Sequence, residues 1–114
     1  MSGFYTLLLR GLVAFFGFTT LLGVLWFAGS PGGEAFVIPG TLMGFSSLAA
    51  AFATRRTLVT LCVVGIGAGL VLVAGDLGAS RGIEWSVVAI RFLHIAVLAT
   101  MAVTALKQSP GSLG

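Results

Sequence analysis

Charge is what this sequence lacks most. Of its 114 residues only 8% are Asp, Glu, Lys or Arg, and three are acidic: Glu34, Asp76 and Glu84. Soluble domains carry about 25% charged residues. This chain has too few to cover a water-facing surface, which excludes a soluble globular domain. A single cysteine, Cys62, excludes an internal disulfide and makes no metal site alone. Within its apolar run it reads as a small buried hydrophobe. A single histidine, His94, excludes a cluster of imidazole ligands, and no Asp or Glu falls deep within an apolar run. The six Lys and Arg are scattered with no basic helix or patch, so nucleic acid is not an expected partner.

Apolar residues are abundant. They make up 58% of the chain, there are seventeen glycines, and the mean hydropathy is +1.15. A polytopic membrane protein fits this composition, and Gly is commoner in transmembrane helices than in soluble ones. Four apolar runs approach the length that crosses roughly 30 Å of hydrocarbon at about 1.5 Å per residue. The expected spans are 7–28, 36–54, 57–75 and 85–106, with a polar tail over 107–114. Pro39 falls in the first turn of the second run, where its missing N–H would lack an intrahelical partner anyway. A cut after Ala28 would put Trp26 where signal cleavage wants a small residue, so the first run is read as a retained helix.

The expected connectors are short: GSPGGEA, the Arg55-Arg56 pair, and DLGASRGIE. Links of that length make sequential helices antiparallel. The expected fold is therefore all-α, a single four-helix transmembrane domain over 1–114 in up-down-up-down order. Arg10, Arg55, Arg56 and Lys107 gather on one side, while Glu34, Asp76 and Glu84, with Arg81 and Arg91, gather on the other. The positive-inside rule then places both termini in the cytoplasm, as in a bacterial inner membrane, with Trp26 and Trp85 in the outer aromatic belt.

Lipid tails are as apolar as Leu, so such helices associate through close backbone approach and interhelical hydrogen bonds. Gly40 and Gly44, extended by Ser47, and Gly65 and Gly69 have the small-xxx-small spacing. These tracks serve either the bundle itself or contacts with a partner. On the first run, Phe15, Phe16 and Phe18 suit lipid or a partner's groove.

Two residues stand out in WSVVAIRFLHIAVLATMAV, which starts at Trp85. Arg91 lies roughly 9 Å inward from Trp85 at helical rise, within reach of snorkelling. Glu84, Asp76 and Glu34 share its side of the membrane. An ion pair with one of these is expected, or contact with an anionic lipid head or a partner's acid. His94 lies deeper, roughly 13 Å from Trp85. A haem shared with another subunit, a chlorophyll-type pigment with one axial histidine, and a proton relay are chemically open to it. The plain expectation is a neutral imidazole bonded across to a Ser, a Thr or a carbonyl, with no cofactor. The hydroxyls in the runs are expected to bond back to their own helices, and hydrolytic catalysis is not expected because no acid lies near the histidine.

In length and span count the chain resembles the small multidrug resistance transporters, four-helix chains that work as dimers. That resemblance implies a self-associating transporter. The family's embedded helix-one glutamate, which exchanges protons for cationic drug, has no counterpart, because Arg10 is the charged residue of the first run. The expected function is thus a non-catalytic accessory or structural subunit of a larger energy-transducing or transport complex, packed by its helix faces against other integral membrane subunits and lipids. The alternatives are a small self-oligomerising transporter or pore for protons, anions or small solutes, and a holin-like lesion former.

Overall fold

A computed structural model describes residues 3–29, 34–78 and 85–107. All four described elements are helices: α1 (Gly3–Ala28), α2 (Glu34–Phe52), α3 (Arg55–Leu77) and α4 (Trp85–Lys107). The fold is all-α. Three helices have the length and apolarity to cross a membrane: Phe4–Ala28, Arg56–Leu77 and Trp85–Lys107. The fourth, α2, contributes a shorter apolar stretch, Phe36–Phe52.

Several boundaries differ from the sequence-based expectation. The turn between α2 and α3 is Ala53 and Thr54 alone, and Arg55 and Arg56 are the first residues of α3. Thr54 has the extended backbone of an N-cap (φ −80°, ψ 170°) but makes no side-chain cap bond. At its other end α3 runs on through Asp76 and Leu77, which the sequence had placed in a connector, and stops at Gly78, whose N–H bonds the Ala74 carbonyl at 3.0 Å. Asp76 is held there because its carboxylate faces an arginine on the next helix. Pro39 is the sixth residue of α2 rather than a first-turn residue, because Glu34 and Ala35 are already helical. Its ring removes the bond that an N–H would make to the carbonyl of residue 35.

The helices pack in chain order, with α1 against α2, α2 against α3 and α3 against α4, and a shorter meeting of α1 with α4. Glycine sets the spacing. A Cβ at Gly17 would lie 2.9 Å from both the Gly44 carbonyl oxygen and Ser47 Cβ, so backbone meets backbone there. Gly44 receives Leu21, and Gly40 receives Val24. On α3, Gly65 receives Leu98 of α4, while Gly69 is wedged between Ile95 of α4 and Met43 of α2. The buried core follows these approaches: Met43, Leu58, Cys62, Leu98 and Val13, with many alanines between them. Its largest fully buried side chains also include His94. Outside, every helix exposes large apolar groups, among them Phe15 and Trp26 on α1, Phe52 on α2, Leu70 on α3 and Phe92 on α4.

Glycine is not uniformly required. Nothing lies within 4 Å of a Cβ built at Gly67 on α3. Gly17→Ala is therefore expected to lower stability in detergent by about 1–3 kcal/mol, the usual consequence of overpacking, while Gly67→Ala loses none. Thermal unfolding of the two variants side by side checks this; equal effects would contradict the packing described.

Candidate functional site

The polar side chains of the bundle fall in three layers. At one end, Arg10 of α1 donates from Nη1 to the carbonyls of Ala51 (2.9 Å) and Ala53 (3.0 Å). Those carbonyls belong to the last turn of α2 and the turn beyond it, where the helix has unsatisfied acceptors and the negative end of its dipole. No basic residue lies in α2's own last turn. A cation from the neighbouring helix supplies what that terminus lacks.

The middle layer is His94. Its side chain is 2% exposed, and Nε2 shares a 2.8 Å hydrogen bond with Oγ of Ser47, which is fully buried. With Nε2 unprotonated the hydroxyl donates to the ring; in the other tautomer the ring donates to Oγ. Phe16 of α1 stacks on the imidazole at a centroid distance of 5.1 Å and an interplanar angle of 22°. The sequence brings these groups together by spacing alone. Gly40, Gly44 and Ser47 are one face of α2 at i, i+4 and i+7, and that face meets α1 beside Gly17, the neighbour of Phe16. The other hydroxyls turn back on their own helices as expected: Thr19 and Thr20 to the Phe16 carbonyl, Thr60 to Arg56, Thr100 to Ala96.

The third layer joins all four helices. Arg91 Nε of α4 lies 3.5 Å from Asp76 Oδ2 of α3. Both atoms are buried and neither makes a hydrogen bond, so attraction between the charges holds the pair rather than a directed N–H···O contact. The guanidinium carbon sits 4.8 Å from the ring centroid of Phe36 on α2, a cation–π distance. Phe36 in turn packs edge-on against Phe27 of α1 at 5.4 Å. The pair is not sealed from outside: the two side chains are 12% and 27% exposed, Asp76 the more open.

Of the residues singled out from the sequence, Arg91 meets Asp76, and Glu84 lies outside the described residues. Gly40, Gly44, Gly65 and Gly69 face the chain's own helices: α1 for the first two, α4 for Gly65, and both α4 and α2 for Gly69. Phe16, Ser47 and Phe36 had no role assigned in the sequence as partners of the two polar residues. Only Ser47 carried a usable signal, its place on the Gly40–Gly44 face. Among the described residues no three of His, Cys, Asp and Glu gather where they could hold a metal ion. A Ser–His contact is also the pairing of a nucleophile with its base, but here Asp76 is turned to Arg91 and Ser47 is fully buried.

The arrangement defines a helical bundle with an internal polar line, an apolar exterior and three helices suited to crossing a membrane. Comparison with protein-family models, with curated proteins and with solved structures gives no match.

The Ser47–His94 bond can be weighed directly. Interhelical hydrogen bonds in membrane proteins contribute about 0.6 kcal/mol on average, up to about 1.7. Leaving a buried partner unsatisfied costs about 1–3 kcal/mol. Ser47→Ala is expected to destabilise the fold in that latter range and Thr100→Ala to have little effect. Unfolding in detergent measures both, and a neutral Ser47→Ala would show that the contact holds nothing.

Proposed function

We propose that this chain is a non-catalytic subunit of a larger integral membrane assembly, embedded by all four helices and stabilising that assembly through its lateral surface. The observation that carries the proposal is the direction of its polar groups. Arg10, Ser47, His94, Arg91 and Asp76 are turned onto one another or onto backbone carbonyls inside the bundle, while the sides of all four helices are apolar. Such a surface suits lipid and other apolar helices, and it leaves little chemistry outward.

The contact order supports an antiparallel, up-down-up-down passage. Along α1 from Phe27 through Val24, Leu21 and Gly17 to Arg10, the partners on α2 climb from Phe36 through Gly40 and Gly44 to Ala51. The charge distribution then argues for a bacterial inner membrane with both termini in the cytoplasm. The small-residue tracks are taken up within the bundle, so the partner surface is assigned to outward apolar groups such as Phe15, Phe18 and Trp26 of α1. A pigment or haem iron bound through His94 Nε2 would have to displace Ser47 and open the bundle at its best-packed polar contact. That geometry supports a structural histidine.

Two measurements decide the reading. A tagged chain extracted in mild detergent is expected to bring down other membrane proteins in fixed ratio. Recovery of self-oligomers alone would overturn the subunit proposal in favour of the transporter or pore. The absorption spectrum of the purified protein is expected to lack a haem or chlorophyll band; a band that vanishes in His94→Ala would make His94 an axial ligand.

A further inference from the structure

We propose that the end of the bundle bearing Arg10, Arg56 and Lys107 is a binding surface for anionic phospholipid headgroups. The inference rests on the membrane reading above and not on the subunit reading.

Three of the cations whose side chains are described lie at this end. Gly65 meets Leu98 and Gly69 meets Ile95 across α3 and α4, and that register, continued to the helix ends, sets Arg56 level with Lys107. Arg10 reaches the same level, since its Nη1 is bound to the carbonyls of Ala51 and Ala53, just ahead of Arg55. The acids on the described helices are placed elsewhere. Glu34 opens α2 and Asp76 lies in the last turn of α3, both at the opposite end, and Glu84 immediately precedes α4 in sequence. The excess positive charge at this end thus has no carboxylate among the described residues to answer it.

The manner of its distribution favours a lipid over a protein. The cations are spread over α1, α3 and α4 at one level rather than gathered on one face. A leaflet of phosphodiesters meets such a ring everywhere at once, whereas a single acidic segment of a protein would reach only part of it. Arg56 and Lys107 are exposed, and Thr54 and Thr57 beside Arg56 are exposed too, offering hydroxyl donors to phosphate oxygens. Just inboard, Phe52 is 83% exposed, an apolar wall along which an acyl chain can lie. Arg10 already has one nitrogen committed to the α2 carbonyls, so the exposed cations Arg56 and Lys107 carry the test.

The full tagged chain, in mild detergent, is titrated by native mass spectrometry with phosphatidylglycerol and with phosphatidylcholine of the same acyl chains. Phosphatidylglycerol is expected to bind at least about ten-fold more tightly, a cation near an anionic surface contributing roughly five-fold each. The preference should shrink as salt is raised, because exposed charges are screened. R56Q/K107Q should lose most of it, R56K/K107R should keep it, and R81Q, which in sequence falls between α3 and α4, should leave it intact. Equal affinity for the two lipids overturns the proposal, and is the outcome expected if an acidic protein is the true occupant. A preference that survives in R56Q/K107Q, or that falls equally in R81Q, also overturns it. The salt series on the unaltered chain decides the matter even if a variant folds poorly. A chain that prefers phosphatidylglycerol yet recovers no partner proteins would refute the subunit reading and leave this one standing.

Discussion

At Gly17 the backbone of α1 lies so near that of α2 that a methyl group would strike a carbonyl oxygen and a serine Cβ at 2.9 Å. Much of the interior depends on this absence of a side chain. The serine so approached is Ser47, the hydrogen-bond partner of His94, and the residue beside Gly17 is Phe16, which stacks on the same imidazole. One close approach thus brings the hydroxyl and the aromatic ring to the histidine from two helices. Were α1 pushed outward, the stack and the hydrogen bond would be disturbed together. In hydrocarbon, where apolar side chains gain little by leaving lipid for each other, such backbone proximity is a chief source of cohesion.

The polar groups repeat this logic at three heights. Each one meets a need that its partner cannot satisfy alone: carbonyls at the end of α2, an imidazole in the core, a guanidinium some way inside α4. The third is electrostatically the most demanding, since Arg91 is largely withdrawn from solvent. Asp76 supplies the opposite charge and Phe36 a polarisable face, while the open side of Asp76 keeps some solvation. This mixture explains how a buried atom pair without a hydrogen bond persists there: the attraction is not directional, and the Asp76 side chain keeps an open side.

The runs of apolar residues made the helices legible, and the i, i+4 glycines of α2 and α3 marked faces that are indeed packed. The pairing of Arg91 with an acid of its own end was also legible, although three acids were equally eligible until the bundle selected Asp76. What could not be read was the pairing between helices. Gly17 has no small residue four positions away, with Val13 on one side and Leu21 on the other, so it forms no small-xxx-small track of its own; its partner is the Gly44 face of another helix. Phe16 looked outward by the same local reading because its neighbours Phe15 and Phe18 do face out. Arg10 looked like a topological charge at a membrane surface, and its role at the end of α2 emerges only when the two helices lie side by side. The helix ends differ from the expected spans by up to four residues, the most at the start of α1, and one difference is substantive: Asp76 belongs to α3.

The unequal helices have a mechanical implication. The apolar stretch of α2, Phe36–Phe52, is 17 residues, or about 26 Å at helical rise, while the 26 residues of α1 extend about 39 Å. The Arg10 contact pins α1 to the end of α2 several residues short of α1's own beginning, so the excess is concentrated at one end rather than shared. Residues 3–9 of α1 therefore project about two turns past the turn between α2 and α3, carrying the exposed side chains of Phe4, Leu7 and Leu8. The level of Arg10 is thus not the end of the apolar surface. On the membrane reading this overhang is an apolar stub on the headgroup side of the cations, which a bilayer would meet by tilt or local deformation.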